Sequence, residues 1–420
     1  MQTELTAFTH LNRLYKKLER KGLIYQNVAA LNGAQMQISG QQVMAYTSAG
    51  FLGLQQHPKV IQFVCQSLQK WPISLGFTRN LGTTPMTPQL EEALAALTGQ
   101  PAAMIYPSTT HIAVDALPLL AGNNGIFLVD RRAYATSLVG VRQAQRFGTK
   151  TVRFQHNDLP ALVNKIHIHR RFHPKIIVVD GVSAPAGDRV PLDQLIDIAK
   201  RYDALIYMDD SNGIGILGEN PNRRMPFGYG GQGTAAYYGI TPGRLLISVG
   251  SMSKAFGVPM AFIAGPQAFI RRLKLSSTTT AHCSPPSIAN VAAALAAMRF
   301  HAKAGDHLRQ MLYQRVMRFR HGLQRHNIRL FGSKEYPIQS LAFDDPQHAT
   351  QFAYQLRQSG IWAVMQFYPA DSPGQIVLRF LLTVEHSKYA IDRTVETIAA
   401  LLSTRRQIFS GRQNFRNAGS

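Results

Sequence analysis

The sequence predicts an α/β protein with a large domain built on a mostly parallel sheet and a smaller C-terminal α+β domain. Three observations carry this. Short apolar runs such as Ile126-Phe127-Leu128-Val129 and Ile176-Ile177-Val178-Val179 are continuous rather than alternating, as strands covered on both faces require. Such runs alternate with stretches of helical periodicity, the pattern of βαβ units. After Pro285-Pro286 that alternation stops, and a long helical stretch leads into two well-separated strand runs.

Taken in order, Leu5, Phe8, Leu11, Leu14 and Leu18 recur at helical spacing among Lys16, Lys17, Arg20 and Lys21, marking an amphipathic helix rather than a cleavable leader. Residues 44–58 read as an extended piece that turns at Gly53 and stops before Pro58, followed by a helix from Lys59 to about Lys70. Gly76 to Pro85 is a glycine- and threonine-rich loop, and Thr87-Pro88 opens a helix with proline in its first turn. Strands follow near 103–106, 126–129, 151–154, 176–179, 204–208, 245–249 and 261–264, with helices from Ser108 and over 136–146. Residues 287–325 form one long helix, 339–343 and 377–382 two strands of a second sheet, and 388–402 a closing helix. The expected division is an N-terminal helix and extension (1–45), a large domain (46–299), a small domain (300–404) and a solvated basic tail (405–420).

Composition narrows the function. The 420 residues are 45% hydrophobic and 16% charged, enough for two cores. Cys65 and Cys283 cannot build a disulfide framework or a cysteine-rich metal site, which fits a reducing cytoplasm. No apolar run reaches the roughly 18 residues that suggest a membrane span. The 45 Lys+Arg outnumber the 23 Asp+Glu, giving +22, a surface that attracts polyanions: nucleic acid, anionic lipid, an acidic carrier protein or a phosphorylated small molecule. No zinc-finger spacing, RNA-recognition signature or aromatic-interleaved basic stripe accompanies it, so no specific nucleic-acid partner is expected. His167, His169 and His173 lie with Arg170 and Arg171 and no nearby carboxylate, a solvated basic loop rather than a metal site. Gly228, Gly230 and Gly233 spell G-x-G-x-x-G, but no apolar strand precedes them and a dinucleotide fingerprint is rejected.

Ligands in open α/β sheets bind beyond the carboxyl ends of strands, and several such ends carry chemistry. Gly250-Ser251-Met252-Ser253-Lys254 follows an apolar run; its amine can attack a carbonyl cofactor, and its hydroxyls can hold a phosphate. Ser108, Thr109 and Thr110 lead from a strand into a helix, which is either an anion site or an ordinary N-cap. Asp209, Asp210, Ser211 and Asn212 end another strand, either as a turn cluster or as partners for a ring nitrogen and a phenolate oxygen. Tyr134 stands just past a third, placed to stack on a planar ring. Together a Schiff-base lysine, an acidic partner for a ring nitrogen, a phosphate cup and a stacking ring match pyridoxal 5'-phosphate (PLP) chemistry.

The order of these parts resembles the α-oxoamine synthase family of fold-type I PLP-dependent transferases, whose members include 8-amino-7-oxononanoate synthase, 2-amino-3-ketobutyrate ligase, 5-aminolevulinate synthase and serine palmitoyltransferase. The resemblance runs from about Ala49 to Leu402. Its carriers are Phe51-Leu52-Gly53-Leu54 with His57-Pro58, Thr78-Arg79-Asn80, Leu90-Glu91, His156-Asn157-Asp158, Met208-Asp209-Asp210-Ser211 with Gly213 and Gly215, Ser251-Met252-Ser253-Lys254, Pro285-Pro286, and Leu378-Arg379-Phe380 with Thr383 and His386. It implies that Lys254 carries the cofactor, Asp209 binds the ring nitrogen, and Ser251 with Ser108, Thr109 and Thr110 holds the phosphate. It further implies that Arg379 binds the amino-acid carboxylate, with Arg79 as a second substrate contact.

The implied enzyme is a cytoplasmic homodimer that condenses a small amino acid with an acyl thioester, delivered by coenzyme A or an acyl carrier protein, and releases carbon dioxide. An aminotransferase or other PLP reaction is the alternative. Four positions depart from the family pattern. Tyr134 stands where a histidine stacks, Asn212 replaces a histidine, Thr109 replaces the glycine of the phosphate loop, and His282 falls near the threonine that reaches the partner subunit's phosphate. Residues 219–240 read as an insertion near the active-site entrance.

Overall fold

The computed structural model describes residues 13–332, 335–366 and 376–416; Leu5, Phe8 and Leu11 of the N-terminal pattern lie outside them. The chain divides into two compact units, Ala49–Tyr313 and Met1–Ser48 with Gln314–Ser420. This differs from the sequence-based division at both ends. The N-terminal segment is no separate extension: it supplies β1 (Val28–Asn32), β2 (Gln35–Ile38) and β3 (Gln41–Tyr46) to the smaller unit's sheet. The second boundary falls inside the helix Ile288–Arg325, not at 299–300, because the helix runs unbroken and its Val316, Phe319 and Leu323 pack into the smaller unit's core.

The larger unit is organised by seven strands: β4 (Ala102–Tyr106), β5 (Ile126–Asp130), β6 (Lys150–Phe154), β7 (Lys175–Asp180), β8 (Ala204–Asp209), β9 (Leu246–Ser251) and β10 (Ala261–Gly265). Their order is β4-β10-β9-β8-β7-β5-β6. Pairing from β9 to β6 is parallel, and β10 runs antiparallel to both its neighbours. Both faces are covered, which explains the continuous apolar runs. Phe127, Val129, Ile176, Val178 and Tyr207 pack on one side with the helices Thr109–Ala121 and Ala135–Gln145. Leu128, Ile177, Val179, Ile206 and Met208 pack on the other with Leu159–Ile168 and Leu192–Arg201. Fully burying each such side chain is worth about 1.5–3 kcal/mol.

In the smaller unit β11 (Ile338–Phe343), β12 (Ile361–Gln366) and β13 (Ile376–Leu381) complete the order β1-β2-β3-β12-β13-β11, with β3 and β12 paired in parallel. Its core gathers on Tyr46, whose ring stacks on His386 at 4.2 Å and whose hydroxyl donates to Thr394 Oγ1 at 2.9 Å. Burial pushes His386 down to about 4; it stays neutral, its Nδ1 accepting the Thr383 N–H and its Nε2 donating to the Ala45 carbonyl. The closing helix spans Lys388–Arg416, beyond the expected end at 402 and through most of the segment read as a solvated tail. No proline interrupts that segment, and its Arg and Gln residues are good helix formers.

Candidate active site

Strand parity brings the site together. Alternate residues share a face, so Ile176 and Val178 put Asp180 on the same side as Tyr207 and Asp209, and Ile247 and Val249 put Ser251 there too. At the C-terminal ends of β7, β8 and β9 these residues border a cavity of about 360 Å³. Lys254, Tyr134, Asn212, Ser108, Thr109 and Thr110 border it as well.

Lys254 leaves β9 on a turn closed by the Gly257 N–H on the Lys254 carbonyl. Gly257 has φ +70°, and a Cβ there would stand 2.6 Å from the backbone nitrogen of Gln55, so only glycine fits. The Lys254 Nζ donates to Asn212 Oδ1 at 2.8 Å and lies 5.7 Å from the centroid of the Tyr134 ring, inside cation–π range. Asn212 is fixed in turn by donating through Nδ2 to the Val182 carbonyl at 3.0 Å. In this arrangement it serves as the acceptor for the lysine, whereas the sequence suggests a donor toward a cofactor oxygen.

Asp209 is buried, and its Oδ1 accepts the Ser211 N–H at 3.0 Å. Asp210 is engaged elsewhere: it accepts both the backbone N–H of Thr234 at 2.7 Å and its hydroxyl at 2.5 Å. The 219–240 segment is therefore clasped to the strand end that presents Asp209. Its glycines form a hairpin, with Gly218 N–H on the Phe227 carbonyl and a mutual Glu219–Tyr229 pair, not a phosphate-binding turn.

Ser108 caps the helix Thr109–Ala121, its Oγ meeting His111 Nδ1 at 2.8 Å. The unpaired first-turn amides and the dipole of that helix favour an anion in the cavity. Ser251 faces the cavity, its Oγ 2.6 Å from the Ser253 Oγ and its N–H on the Ser211 hydroxyl. Tyr134 opens the helix Ala135–Gln145 and is 40% exposed as a residue.

Two predicted residues of the larger unit, Arg79 and His282, do not border this cavity. Arg79 is buried beside β4, pairing with Glu91 and donating to the Ile105 carbonyl at 2.8 Å, while Glu91 also accepts the Ile105 N–H. Its two terminal nitrogens hold that strand, and the residue borders a separate, smaller cavity with Pro285 and Pro286. His282 is exposed at the end of the helix Thr278–His282 and does not border the cavity. Arg379 belongs to the smaller unit, half-buried on β13 between Ser340 of β11 and Val364 of β12.

Asp180 is the residue that sequence reasoning missed. It ends an apolar strand as Asp209 does, so the same strand-end rule points to it. Its Oδ1 accepts the Tyr134 backbone N–H at 3.0 Å, and burial followed by the charge of Asp209 pushes its carboxyl well above the usual range.

Comparison with known proteins agrees with this geometry. The family model for aminotransferase class I and II matches residues 42–398. The chain is 31% identical to a putative 8-amino-7-oxononanoate synthase of Desulforudis audaxviator, covering 93% of this chain and 98% of that one. It is 29% identical to the 8-amino-7-oxononanoate synthase of Petrotoga mobilis, covering 92% and 95%. Among solved structures, serine palmitoyltransferase from S. paucimobilis, determined with PLP and myriocin, superposes with a TM-score of 0.85 at 22% identity over 94% of this chain and 98% of that one. The 8-amino-7-oxononanoate synthase of Francisella tularensis gives 0.72 at 20% identity, over 87% and 99%. The chain belongs to the aminotransferase class I and II family and, within it, to the α-oxoamine synthases.

Proposed function

We propose that the protein is a PLP-dependent acyltransferase that condenses a small amino acid with an acyl thioester and releases carbon dioxide. The observation that carries this is an amine, Lys254, sharing one cavity with a buried carboxylate at a strand end and the N-terminus of the helix Thr109–Ala121. These residues fit PLP on their own chemistry. Two buried carboxyl groups against one amine favour a cationic ring, the helix N-terminus with Ser108, Thr109, Thr110 and Ser251 suits a phosphate, and Tyr134 offers an aromatic wall.

When bound, PLP supplies an electron sink for negative charge developing on the amino acid's α-carbon. The remaining work belongs to the protein. Lys254 holds the cofactor and then carries the α-proton, Asp209 keeps positive charge on the ring nitrogen, and Arg379 takes the substrate carboxylate in a bidentate grip. The net charge of +22 favours an anionic acyl donor, either coenzyme A or the acidic face of a carrier protein. In this reading the enzyme is a cytoplasmic homodimer, and the segment carrying His282 reaches the partner subunit's phosphate site. Among the described residues no helix is long and apolar enough to cross a membrane.

The test is covalent. The chain is incubated with PLP, reduced with borohydride, digested and mapped by mass spectrometry. The expected label is on Lys254; a label confined to other lysines would overturn the assignment.

A further inference from the structure

Of the charged side chains bordering the cavity, Lys254, Asp209 and Asp180, the proposed chemistry gives work to the first two. Asp180 is the register neighbour of Asp209 on adjacent parallel strands, which lie about 4.8 Å apart. Both side chains leave the same face of the sheet, so the two carboxyl groups share one poorly solvated region. Asp180 also reaches Tyr134, accepting its backbone N–H at 3.0 Å, and so fixes the start of the helix that presents the ring.

The charges around Asp180 are few. Asp209 and, more weakly, Asp130 push its carboxyl up, while the Tyr134 N–H and Lys254 hold it down; burial outweighs them all. Tyr207 lies on the same strand face and is itself pushed up by burial and by Asp209. Asp130 is occupied on its own side by His156 and by the N–H groups of Arg132 and Asn157. Once Lys254 is spent on attachment, no other cationic side chain among the described residues borders the cavity to balance two carboxyl groups.

We propose that Asp180 is a positioning residue of the PLP pocket, holding Tyr134 through its backbone amide and, with Asp209, favouring the cationic form of the bound ring. The inference rests on the PLP reading above. It adds a second carboxyl group to the ring-nitrogen pocket and links that group to the aromatic wall.

The test compares PLP with its deaza analogue, in which carbon replaces the ring nitrogen, by absorbance titration of the cofactor-stripped full-length chain. Asp180→Asn keeps an oxygen for the Tyr134 N–H but carries no charge. It should weaken PLP about tenfold, equivalent to about 1.4 kcal/mol, and leave the analogue within about twofold. Asp180→Ala removes the acceptor and should weaken both. The pH midpoint of the bound-PLP spectrum should move down in Asp180→Asn, because the ring cation has lost part of its counter-charge. Where Asn does not fold, Asp180→Ser gives the same ratio. Wild-type affinity in Asp180→Asn, or equal weakening of both ligands, would overturn the role of Asp180 while leaving the PLP reading intact. A wild-type chain that takes up no PLP would overturn both.

Discussion

Asp210→Asn should remove a pH dependence of stability that the fold builds in beside the site. Asp210 is 2% exposed, and burial, offset in part by its two bonds from Thr234, pushes its carboxyl from 3.8 up to about 7. Between those values the folded chain keeps a proton that the unfolded chain gives up. The contribution of Asp210 to stability is therefore full below pH 3.8 and falls as pH rises toward 7, by about 1.4 kcal/mol per pH unit. From pH 5 to 7 that amounts to about 2–3 kcal/mol. Asparagine can take over both bonds, its oxygen accepting the Thr234 N–H and its amide donating to the hydroxyl, without carrying a titratable proton. Urea unfolding of the cofactor-stripped chain at pH 5, 6, 7 and 8 measures the effect. Taking the difference between variant and wild type cancels the titrating groups that do not interact with Asp210, leaving Asp210 and its neighbours Asp209 and Lys254. The Asn variant should gain about 2–3 kcal/mol on the wild type between pH 5 and 7 and then level off. A constant difference across that range would refute the reasoning.

Two further substitutions separate scaffold from site. Arg79→Met leaves Glu91 buried without its cation and should cost about 3–5 kcal/mol in urea unfolding, while KM for the amino acid in the surviving enzyme stays within about twofold; a selective rise in KM would mark Arg79 as a substrate contact. Tyr134→Phe keeps the ring and should hold PLP within about threefold of wild type. Tyr134→Ala removes a ring contact worth roughly 1 kcal/mol or more and should weaken PLP by about tenfold, as read by absorbance titration; equal affinities in the two variants would deny the ring its role.

Much of the large unit is legible in the sequence because its strands are short, continuous apolar runs that end in polar residues. The same regularity points to the site, since Asp209, Ser251 and Ser108 each stand at or just past such an end. What escapes is non-local. The pairing of β3 with β12 joins segments more than 300 residues apart, and β1 to β3 leave no mark of the sheet they complete. The long helix carries no break where the two units divide, so composition places the boundary too early. The partner of Arg79 escapes in the same way. Residue type shows that a guanidinium is present, but its commitment to Glu91 depends on two segments meeting in space. Asp180 was legible by the strand-end rule, yet its meaning depends on its being the register neighbour of Asp209.

Product release separates decarboxylative condensation from transamination. Decarboxylative condensation consumes an amino acid and an acyl thioester together, whereas transamination needs only the amino acid and leaves the cofactor in its amine form. The purified enzyme, loaded with PLP, is supplied with a panel of small amino acids and acyl thioesters on coenzyme A or a carrier protein. Carbon dioxide and free thiol are followed in the same reaction. Both are expected in equal amounts, and only when both substrates are present. Stoichiometric keto acid from amino acid alone, with no thiol released, would contradict it.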